Sequence, residues 1–359
     1  MKILSIIGAR PQFIKAAPVS RAIRRKHKEI LLHTGQHYDE NMSMIFFDDL
    51  GIPRPDYNLG IGSDSHAVQT ARMLEGIETV LFEQNPDVVL VYGDTNSTIA
   101  GALAATKLHI PVAHVEAGLR SFNWDMPEEI NRVLTDRISG WLFCPTRTAV
   151  DHLKNEGITE GVYLTGDVMY DALLYFSEIA EKRESPLRKF GLREKSYCLA
   201  TVHRPANTDN PENLKAILQA FIESGETILF PVHPRTYKFI TDYGLDRIIE
   251  KTPSVRLIEP LSYLDILMLE KHAGKILTDS GGIQKEAYLW GVPCITLREE
   301  TEWTETVDEG WNRLVGARYS EILEAILDFQ PNAAQKFSYG DGHASEAIVK
   351  ILEETLAKD

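Results

Sequence analysis

Charged residues of both signs cluster in one segment, HVEAGLRSFNWDMPEEINR, which covers residues 114–132. Its ionisable residues are His114, Glu116, Arg120, Asp125, Glu128, Glu129 and Arg132. On an average helix, the i,i+4 pair of Glu128 and Arg132 would be a surface salt bridge worth about 0.5 kcal/mol. Here Asp94 also ends a neighbouring apolar run. Several carboxylates that converge on one crevice beside cations are suited to removing a proton and returning it.

Further reactive side chains stand at the ends of other apolar, strand-like runs. They are Gly8, Arg10 and Lys15; His203 and Arg204; His233 and Arg235; and Ser280, Gly281, Gly282 and Glu286. In open α/β sheets, ligands bind outside the carboxyl ends of the strands, so we expect these groups to meet in a crevice between two domains. Arg10 and Lys15 could instead form a solvated first helical turn. Of the two His-Arg pairs, we expect at least one to be functional, with His203 as the active histidine.

The segment TDSGGIQKEA, residues 278–287, has a pattern that is typical of anion binding. Two glycines and a serine that open a helix expose backbone N–H groups, and the helix dipole favours a phosphate there. The alternative is an ordinary strand-to-helix turn, with Ser280 or Asp279 as the N-cap and the glycines needed for packing. Glu286, further along the helix, can accept hydrogen bonds from two vicinal hydroxyls. The pattern therefore favours a phosphate at residues 280–282 and a ribose at Glu286.

Several other kinds of site are disfavoured. No Walker A motif occurs, and GIGSDS at residues 60–65 does not complete the dinucleotide fingerprint. The motifs HExxH and HxH and clustered Cys/His ligands are missing too, so we expect neither a metal nor a cofactor. A net charge of −14 disfavours nucleic acid and membrane surfaces as partners. An anionic ligand would need a locally built site.

Alternating strand-like and helix-like segments must position these groups. Apolar runs such as KILSII and DVVLVYG alternate with amphipathic stretches at 12–25, 96–107 and 148–156, which predicts parallel sheets with helices on both faces. A charged stretch at 177–196 interrupts this alternation, which restarts with YCLATVH. With 359 residues the chain is longer than one core usually supports. We therefore expect two α/β domains with a boundary near 167–190.

The helix that Pro127 is predicted to start contains both apolar and charged positions. Its predicted buried stripe consists of Ile130, Val133, Leu134, Ile138 and Trp141. Glu128 and Arg132 are then expected on the opposite face.

Cysteine usage and hydrophobicity indicate the compartment. Cys144, Cys198 and Cys294 lie in apolar, strand-like runs without CxxC spacing, which favours reduced core thiols. The first apolar run is too short for a secretion signal, and no segment approaches the roughly 20 apolar residues that span a bilayer. A soluble, cytoplasmic protein is expected.

The motifs occur in a specific order along the chain: GARPQFIK, GDTNST, HVEAGLRS, MPEEINR, LFCPT, TVHRPANT, HPRT and TDSGGIQKEA. Together they resemble those of the non-hydrolysing UDP-N-acetylglucosamine 2-epimerases, from the first strand to about residue 317. The resemblance implies a glycosyltransferase-B-like α/β fold in which two Rossmann-like domains face a cleft. It places the N-terminal domain at 1–170, the UDP-binding domain at 171–340 and a helix that crosses back to the first domain at 341–359. It also implies a homodimer.

The resemblance further implies reversible C2 epimerisation of a UDP-linked 2-acetamido sugar. The first candidate is the conversion of UDP-N-acetylglucosamine to UDP-N-acetylmannosamine, by elimination of UDP to a 2-acetamidoglucal and re-addition, in polysaccharide precursor synthesis. Acid and base roles fall to Asp94, Glu116 and Glu128, with Arg132 in support and His203 near the departing diphosphate. The residues assigned to UDP are Arg10, Lys15, Arg204, His233 and Arg235 at the phosphates, Ser280, Gly281 and Gly282 as their cradle, and Glu286 at the ribose.

Three departures from the family pattern leave alternatives open. Ala206 stands where the family usually has an acid, and Trp303 stands where many members have an arginine. The tryptophan at position 303 resembles the pattern of the branch that acts on UDP-2,3-diacetamido-2,3-dideoxyglucuronate. That sugar nucleotide is the alternative substrate. Gln36 and His37 match the allosteric loop of bacterial members, but SHAVQT lacks the arginine found near it, so activation by substrate stays open.

Other functions remain as alternatives to the epimerase. They are a glycosyltransferase of the same architecture, a hydrolysing epimerase and a non-catalytic nucleotide-sugar sensor. Exchange of the sugar C2 proton with solvent separates the epimerase from the transferase and the sensor, and product analysis identifies the hydrolysing enzyme.

Overall fold

A computed structural model of the chain describes residues 1–36 and 51–356, apart from the side chain of Arg10. The chain divides into two compact units. Unit 1 comprises Met1–Tyr175 and Phe337–Asp359, and unit 2 comprises Phe176–Lys336. Each unit is a parallel sheet packed against helices, so the predicted α/β class with two domains is confirmed.

In the described part of unit 1, the sheet has seven strands in the order β3-β2-β1-β4-β5-β6-β7, and the pairings between them are parallel. The strands are β1 (Lys2–Ile7), β2 (Lys28–His33), β3 (Tyr57–Asn58), β4 (Val88–Tyr92), β5 (Val112–Val115), β6 (Trp141–Cys144) and β7 (Val162–Leu164). The central strands β4 and β5 are buried along their whole length. A parallel sheet covered on both faces needs such continuous apolar runs.

The helices of unit 1 follow the strands in alternation. Among residues 1–36 and 51–356 they are α1 (Arg10–Arg24), α2 (His66–Gln84), α3 (Asn96–Lys107), α4 (Pro127–Ile138), α5 (Arg147–Asn155), α6 (Val168–Ala180), which continues into unit 2, and the C-terminal α16 (Ala344–Leu356). Proline at the first turn of α1 and α4 suits a helix start, because the missing N–H would have no intrahelical partner there.

The sheet of unit 2 has six parallel strands in the order β10-β9-β8-β11-β12-β13. They are β8 (Cys198–Thr201), β9 (Ile228–Pro231), β10 (Val255–Ile258), β11 (Lys275–Thr278), β12 (Cys294–Thr296) and β13 (Asn312–Leu314). The helices are α7 (Pro186–Lys189), α8 (Pro205–Thr208), α9 (Pro211–Glu223), α10 (Pro234–Asp242), α11 (Asp246–Ile249), α12 (Tyr263–His272), α13 (Gly281–Leu289), α14 (Thr304–Asp308) and α15 (Tyr319–Asp328).

The C-terminal helix α16 is tied to unit 1 by polar contacts at both ends. The Asp171 carboxylate accepts hydrogen bonds from the backbone N–H groups of Ala344 and Ser345, at 3.1 and 2.7 Å, and so caps the helix N-terminus. Near the other end, Trp141 Nε1 donates to Thr355 Oγ1 at 2.8 Å. The chain therefore returns to its first unit after the second is complete.

The predicted buried stripe of α4 is wrong. Ile130 and Leu134 are 41% and 50% exposed. Trp141 belongs to strand β6 and not to the helix. The buried positions of α4 are instead polar: Glu129, Asn131, Arg132, Thr135 and Asp136. These side chains are buried because hydrogen bonds and ion pairs replace the water that they lose, as the next section describes.

The three cysteines are free and buried in strands, as predicted. Burial raises the pKa of Cys198 and of Cys294 to about 12, so both thiols are poor nucleophiles. Within residues 1–36 and 51–356, no helix is both long and apolar enough to cross a membrane.

Candidate functional site

The first group of candidate residues lies at the carboxyl ends of β1, β4 and β5, which are neighbours in the sheet of unit 1. The ammonium of Lys15, on the helix that follows β1, forms a short ion pair with the Glu116 carboxylate at the end of β5. Gly93, at the end of β4, lies between them: a Cβ there would stand 3.2 Å from Glu116 Oε2 and 3.3 Å from Lys15 Nζ. The sheet thus brings together groups that are 101 residues apart in sequence.

Asp94 directly follows Gly93 and forms an ion pair with Arg132. The Arg132 Nη2 lies 2.6 Å from Asp94 Oδ2, and its Nη1 lies 3.0 Å from Glu129 Oε2. Asn131 on the same helix donates from Nδ2 to the Asp94 carbonyl at 2.9 Å. Arg132 is nearly buried, so the guanidinium is held by two carboxylates in a place of reduced solvent screening.

Glu129 also organises the loop before α4. Its carboxylate accepts hydrogen bonds from Ser121 N and Oγ, both at 2.9 Å, and from Phe122 N at 3.0 Å. Burial raises the pKa of Glu129, but the bonds from Ser121, Phe122 and Arg132 lower it by more, so that it lies below its ordinary value. One buried carboxylate thus links the loop to the Arg132–Asp94 pair.

A buried charge network supports the ends of β4 and β5. His114 Nε2 donates to the Gly93 carbonyl at 2.7 Å, and its Nδ1 lies 2.7 Å from Asp136 Oδ1. Both ring nitrogens therefore face oxygen atoms that can accept a hydrogen bond. Burial raises the pKa of Asp136, but the hydrogen bonds and charges of His114 and Arg120 bring it below its ordinary value.

Backbone conformation at this edge is also specialised. Glu116 has φ = +72°, which is uncommon for a residue other than glycine. Its N–H and that of Ala117 both donate to the Phe143 carbonyl at 3.1 Å, and these bonds hold the turn. An uncommon conformation of a charged residue at a strand end is frequent in functional sites.

The remaining predicted residues of unit 1 are placed differently. Glu128 is exposed at the first turn of α4, and within the described part of the chain it has no ion pair with Arg132, which pairs with Glu129 instead. Arg10 begins α1, and its side chain lies outside the described residues. Gln36 Oε1 accepts hydrogen bonds from Ser97 N and Oγ, at 3.1 and 2.7 Å. His37 lies outside the described residues.

In unit 2, a buried aspartate organises the loop that carries His203 and Arg204. Asp279, directly after β11, accepts hydrogen bonds from the backbone N–H groups of His203 and Arg204 and from Asn207 Nδ2, at 3.0–3.1 Å. The His203 ring is half exposed, with Nδ1 3.4 Å from Asp279 Oδ1. Arg204 lines a cavity of about 390 Å³ together with Arg298.

His233 and Arg235 stand at the start of α10. The His233 side chain caps this helix by accepting from Arg235 N at 3.2 Å. The Arg235 guanidinium forms two bonds with the Asp209 carboxylate, at 2.8 and 2.7 Å. Arg235 therefore already has a carboxylate partner, with which a phosphate would compete.

The SGG segment begins α13, as the sequence predicts, with Ser280 as the N-cap residue and Gly281 at the first turn. A Cβ on Gly281 would overlap Glu302 Oε1, so the side chain of Glu302 lies against the helix start. The other Glu302 oxygen lies 3.0 Å from Arg298 Nη1. A carboxylate thus occupies the neighbourhood of exposed N–H groups that favour anions.

Glu286 lies one turn further along α13 and is nearly buried. Its Oε1 accepts a hydrogen bond from the Tyr263 hydroxyl at 2.9 Å. The adjacent Lys285 places its ammonium 4.0 Å from the centre of the Trp303 ring, a cation–π contact. Trp303 thus packs beside the α13 segment that contains the predicted phosphate and ribose groups.

Sequence patterns did not assign a functional role to Glu129, His114, Asp136 or Asp279. The signal available for Glu129 and Asp136 was spacing: together with Arg132 they follow the i, i+3, i+7 rule and so share one helix face. For Asp279 no local signal separates a loop-organising aspartate from an ordinary N-cap.

The chain is similar to one family of known proteins. The sequence model described as UDP-N-acetylglucosamine 2-epimerase matches residues 21–353. A Methanococcus maripaludis protein named UDP-N-acetylglucosamine 2-epimerase homolog is 58% identical, over 98% of this chain and 99% of that one. The Pseudomonas aeruginosa UDP-2,3-diacetamido-2,3-dideoxy-D-glucuronate 2-epimerase is 50% identical, over 98% and 99% of the two chains.

A solved structure shows the same architecture. It is that of Methanocaldococcus jannaschii UDP-GlcNAc 2-epimerase in complex with UDP-GlcNAc and UDP, which matches with a TM-score of 0.86 and 47% identity and covers 99% of this chain and 100% of that chain. The glycosyltransferase-B-like fold class is thereby confirmed. Since the sequence model, the relatives and the fold agree over nearly the whole length, the chain belongs to the UDP-N-acetylglucosamine 2-epimerase family.

Proposed function

We propose that this protein catalyses the reversible C2 epimerisation of a UDP-linked 2-acetamido sugar, with UDP-N-acetylglucosamine and UDP-N-acetylmannosamine as the interconverted pair. The observation that carries the proposal is the arrangement of two carboxylate–cation pairs, Glu116–Lys15 and Asp94–Arg132, at adjacent strand ends. Family membership supplies the substrate class, because similar proteins are named UDP-N-acetylglucosamine 2-epimerase.

The reaction proceeds by elimination and re-addition. A carboxylate removes the C2 proton, the C–H electron pair forms the C1–C2 double bond, and the C1–O pair leaves with UDP, which gives a 2-acetamidoglucal. UDP then attacks C1 while a proton is delivered to the other face of C2, which produces the manno epimer. Electrons and atoms balance without an oxidant or reductant. The step needs two proton-transfer groups and stabilisation of the leaving diphosphate.

We assign the proton transfers to Asp94, Glu116 and Glu128. The contacts of Lys15 and Arg132 support positioning roles for these cations, because each holds one of the carboxylates in a fixed direction. In unit 2, His203 and Arg204 lie at the end of β8 on a loop that Asp279 fixes, and we assign them to the departing diphosphate.

The remaining phosphate contacts are proposed at two helix starts and at the first turn of α1. They involve Arg10, His233, Arg235, Ser280, Gly281 and Gly282. Occupation of the N-terminus of α13 by a phosphate would displace the Glu302 carboxylate that lies there, and ligand binding should therefore free Arg298 from its present partner.

Proton NMR in D2O tests the proposal. The protein is incubated with UDP-N-acetylglucosamine, and the sugar H2 signal and the manno product are followed. We expect deuterium at C2 in both epimers, and loss of this exchange in Glu116→Gln and in Asp94→Asn, with Glu160→Gln as a surface control. Tight UDP binding without any exchange would contradict the epimerase and favour a transferase or a sensor.

A second substrate, UDP-2,3-diacetamido-2,3-dideoxyglucuronate, is favoured by two observations. One is the 50% identity with the Pseudomonas aeruginosa enzyme named for it. The other is Trp303, which stands where many family members have an arginine. Its ring packs against Lys285. The same NMR experiment with both sugars in parallel separates the two: the true substrate exchanges its H2 and gives a UDP-linked epimer, and the other does not.

We also propose that the protein is a cytoplasmic homodimer. Unit 1 exposes four large apolar side chains near α4, namely Phe122, Trp124, Ile130 and Leu134, and exposed apolar patches frequently form subunit interfaces. The free buried thiols suit a reducing compartment. Analytical ultracentrifugation tests the oligomer: a monomer at all concentrations would contradict it, and Leu134→Lys should weaken a dimer.

A further inference from the structure

His66 contacts a group of buried amide side chains near the carboxyl end of β4. The residue begins α2 and is exposed. Its Nδ1 lies 3.2 Å from Nδ2 of Asn96, the first residue of α3, which stands two positions after Asp94. Among residues 1–36 and 51–356, the other ring nitrogen of His66, Nε2, has no hydrogen-bond partner. The imidazole is thus held at one nitrogen, and the other can bind a ligand.

The amide side chains form a chain whose directions are set by two backbone carbonyls. Gln69 Nε2 donates to the Gly62 carbonyl at 3.0 Å, so the Gln69 Oε1 is left to accept from Asn96 Nδ2, at 2.8 Å. At the other end, Asn131 Nδ2 donates to the Asp94 carbonyl at 2.9 Å and to Asn96 Oδ1 at 3.3 Å. Asn96 therefore meets a donor at its oxygen and an acceptor at its nitrogen. A flip of its amide would place like groups against each other.

This orientation of Asn96 decides the role of the His66 ring. The amide nitrogen of Asn96 has two hydrogens, of which one is directed at Gln69 Oε1 and the other at His66 Nδ1. His66 Nδ1 is then an acceptor and carries no hydrogen. Of the two neutral forms of an imidazole, only the one with its hydrogen on Nε2 fits this contact. The Nε2–H group of His66 is therefore a hydrogen-bond donor without a formal charge.

The position of His66 relative to Asp94 limits what this donor can bind. Asn131 connects the two places, because it donates both to the Asp94 carbonyl and to the amide that holds His66. A carboxylate that transfers the C2 proton must come within hydrogen-bond reach of it. The carbonyl oxygen of a 2-acetamido group is three bonds from C2, so it lies within a few ångströms of the same carboxylate. An uncharged N–H donor matches this amide oxygen, which is an uncharged acceptor.

We propose that His66 is a substrate-binding residue whose Nε2–H donates to the carbonyl oxygen of the 2-acetamido group. The inference rests on the proposed function, since it takes Asp94 as a carboxylate that acts at C2. It adds a residue by which the site distinguishes a 2-acetamido sugar from a sugar with a hydroxyl group at C2. The buried amides of Gln69, Asn96 and Asn131 determine which ring nitrogen carries the hydrogen.

Two variants at position 66 separate donation to the ligand from support of the fold. His66→Gln retains an N–H donor at the end of the side chain, whereas His66→Leu retains none. Both variants lose the imidazole ring, so a difference between them reports on the donor. Apparent affinities for UDP-N-acetylglucosamine and for UDP-glucose are measured by calorimetry, because these two nucleotides differ only in the substituent at C2.

A hydrogen bond between uncharged groups contributes roughly fivefold to an affinity. We expect wild type to bind UDP-N-acetylglucosamine more tightly than UDP-glucose, and His66→Leu to lose about fivefold of this preference. His66→Gln should keep most of the preference. The exposed histidine of His343→Leu is the control, and this variant should keep the wild-type ratio of the two affinities.

The proposal is overturned if His66→Leu keeps the wild-type ratio, which includes the case in which both affinities fall by the same factor. It is also overturned if His66→Gln loses as much of the preference as His66→Leu, or if wild type binds both nucleotides equally. These measurements need no turnover. A preference that depends on His66 without any C2 proton exchange would remove the proposed epimerisation and leave the role of His66 in place. Proton exchange together with an unchanged ratio in His66→Leu would do the reverse.

Nitrogen NMR of the wild-type protein provides a second measurement that does not depend on the folding of His66→Leu. The histidine ring nitrogens are isotopically labelled, and the His66 signals are identified by their loss in His66→Gln. At neutral pH we expect Nδ1 without a hydrogen and Nε2 with one. A hydrogen on Nδ1 would contradict the acceptor role that Asn96 imposes on it and would overturn the proposal.

Discussion

Arg132 Nη2 lies 2.6 Å from Asp94 Oδ2, although the two residues are 38 positions apart in sequence. The same guanidinium reaches Glu129 through its other terminal nitrogen, at 3.0 Å. A planar group with two donors in fixed directions can hold two carboxylates at a defined angle, and an ammonium cannot. The direction of the Asp94 carboxylate therefore depends on arginine at this position.

Replacement of Arg132 by lysine tests this dependence. Lysine keeps the positive charge, but its ammonium is a point charge without two donors in fixed directions, so the Asp94 carboxylate should lose its fixed direction. A small displacement of a catalytic group can lower kcat by about 10²-fold. We expect kcat to fall by that order while the Kd for UDP changes little. Arg137→Lys, on the exposed side of the same helix, is the matched control. Equal kcat values for the two variants would contradict the positioning role.

Glu129 should make stability depend on pH in the acid range. Its folded-state pKa lies below its ordinary value of 4.5, as a net result of burial, which raises it, and of hydrogen bonds from Ser121, Phe122 and Arg132, which lower it. A carboxylate with a lowered pKa contributes stability that is present above the unfolded pKa and is lost as pH falls through the folded one.

The corresponding experiment compares unfolding midpoints at neutral pH and below pH 4.5 for wild type, Glu129→Gln and Glu128→Gln. Glu129→Gln should lower the midpoint at neutral pH and flatten its decrease on acidification, because the group that titrates is gone. Glu128 is exposed and adjacent, so Glu128→Gln should keep the wild-type slope. A wild-type slope in Glu129→Gln would show that other carboxylates account for the acid sensitivity.

His114 and Asp136 form a buried pair, and we expect that removal of the histidine lowers the free energy of unfolding. His114→Gln removes the ring nitrogen that contacts Asp136 Oδ1, and it leaves Asp136 with Arg120 and the Gly118 N–H as its partners. Loss of a hydrogen-bond partner from a buried carboxylate costs roughly 1–3 kcal/mol or more. Urea unfolding at neutral pH measures this cost, with the exposed His343→Gln as control. A cost below about 1 kcal/mol would mean that Arg120 and the Gly118 N–H are sufficient partners for the Asp136 carboxylate.

Local patterns predicted the strand ends that hold Lys15, Asp94 and Glu116, because apolar runs identify parallel strands and parallel strands end at one edge. The order of strands in the sheet places Glu116 beside Lys15, and it places Gly93, the residue before Asp94, between them. The prediction of α13 as a helix that starts at residues 280–282 was also correct, since glycine and serine chemistry at a helix start is local.

The orientation of α4 could not be predicted in the same way. Periodicity assigns apolar side chains to the core, and this rule selected Ile130 and Leu134, which are exposed. The helix instead buries Glu129, Arg132 and Asp136, whose desolvation is compensated by partners just after β4, on β5 and in the loop that follows β5. Those partners are distant in sequence, so the local pattern contains no information about them.

Gly118 and Gly157 allow a matched comparison of how much a steric overlap with the backbone lowers the free energy of unfolding. Both have positive φ, +79° and +77°, so an alanine at either position is strained by about 1 kcal/mol. A Cβ at Gly157 meets no atom within 4 Å, whereas one at Gly118 would overlap the Ala149 carbonyl oxygen, which is backbone and cannot rotate away. We expect Gly157→Ala to cost about 1 kcal/mol and Gly118→Ala roughly 3 kcal/mol or more in urea unfolding.

Gly118→Ala should also affect activity. Gly118 follows Glu116 by two residues, and its N–H donates to Asp136 at 3.1 Å, so a backbone shift there moves the end of β5 and the buried network together. We expect a lower kcat in Gly118→Ala, measured under conditions in which the variant is fully folded, and wild-type kcat in Gly157→Ala. A folded Gly118→Ala with wild-type kcat would show that the turn after β5 tolerates displacement without loss of catalysis.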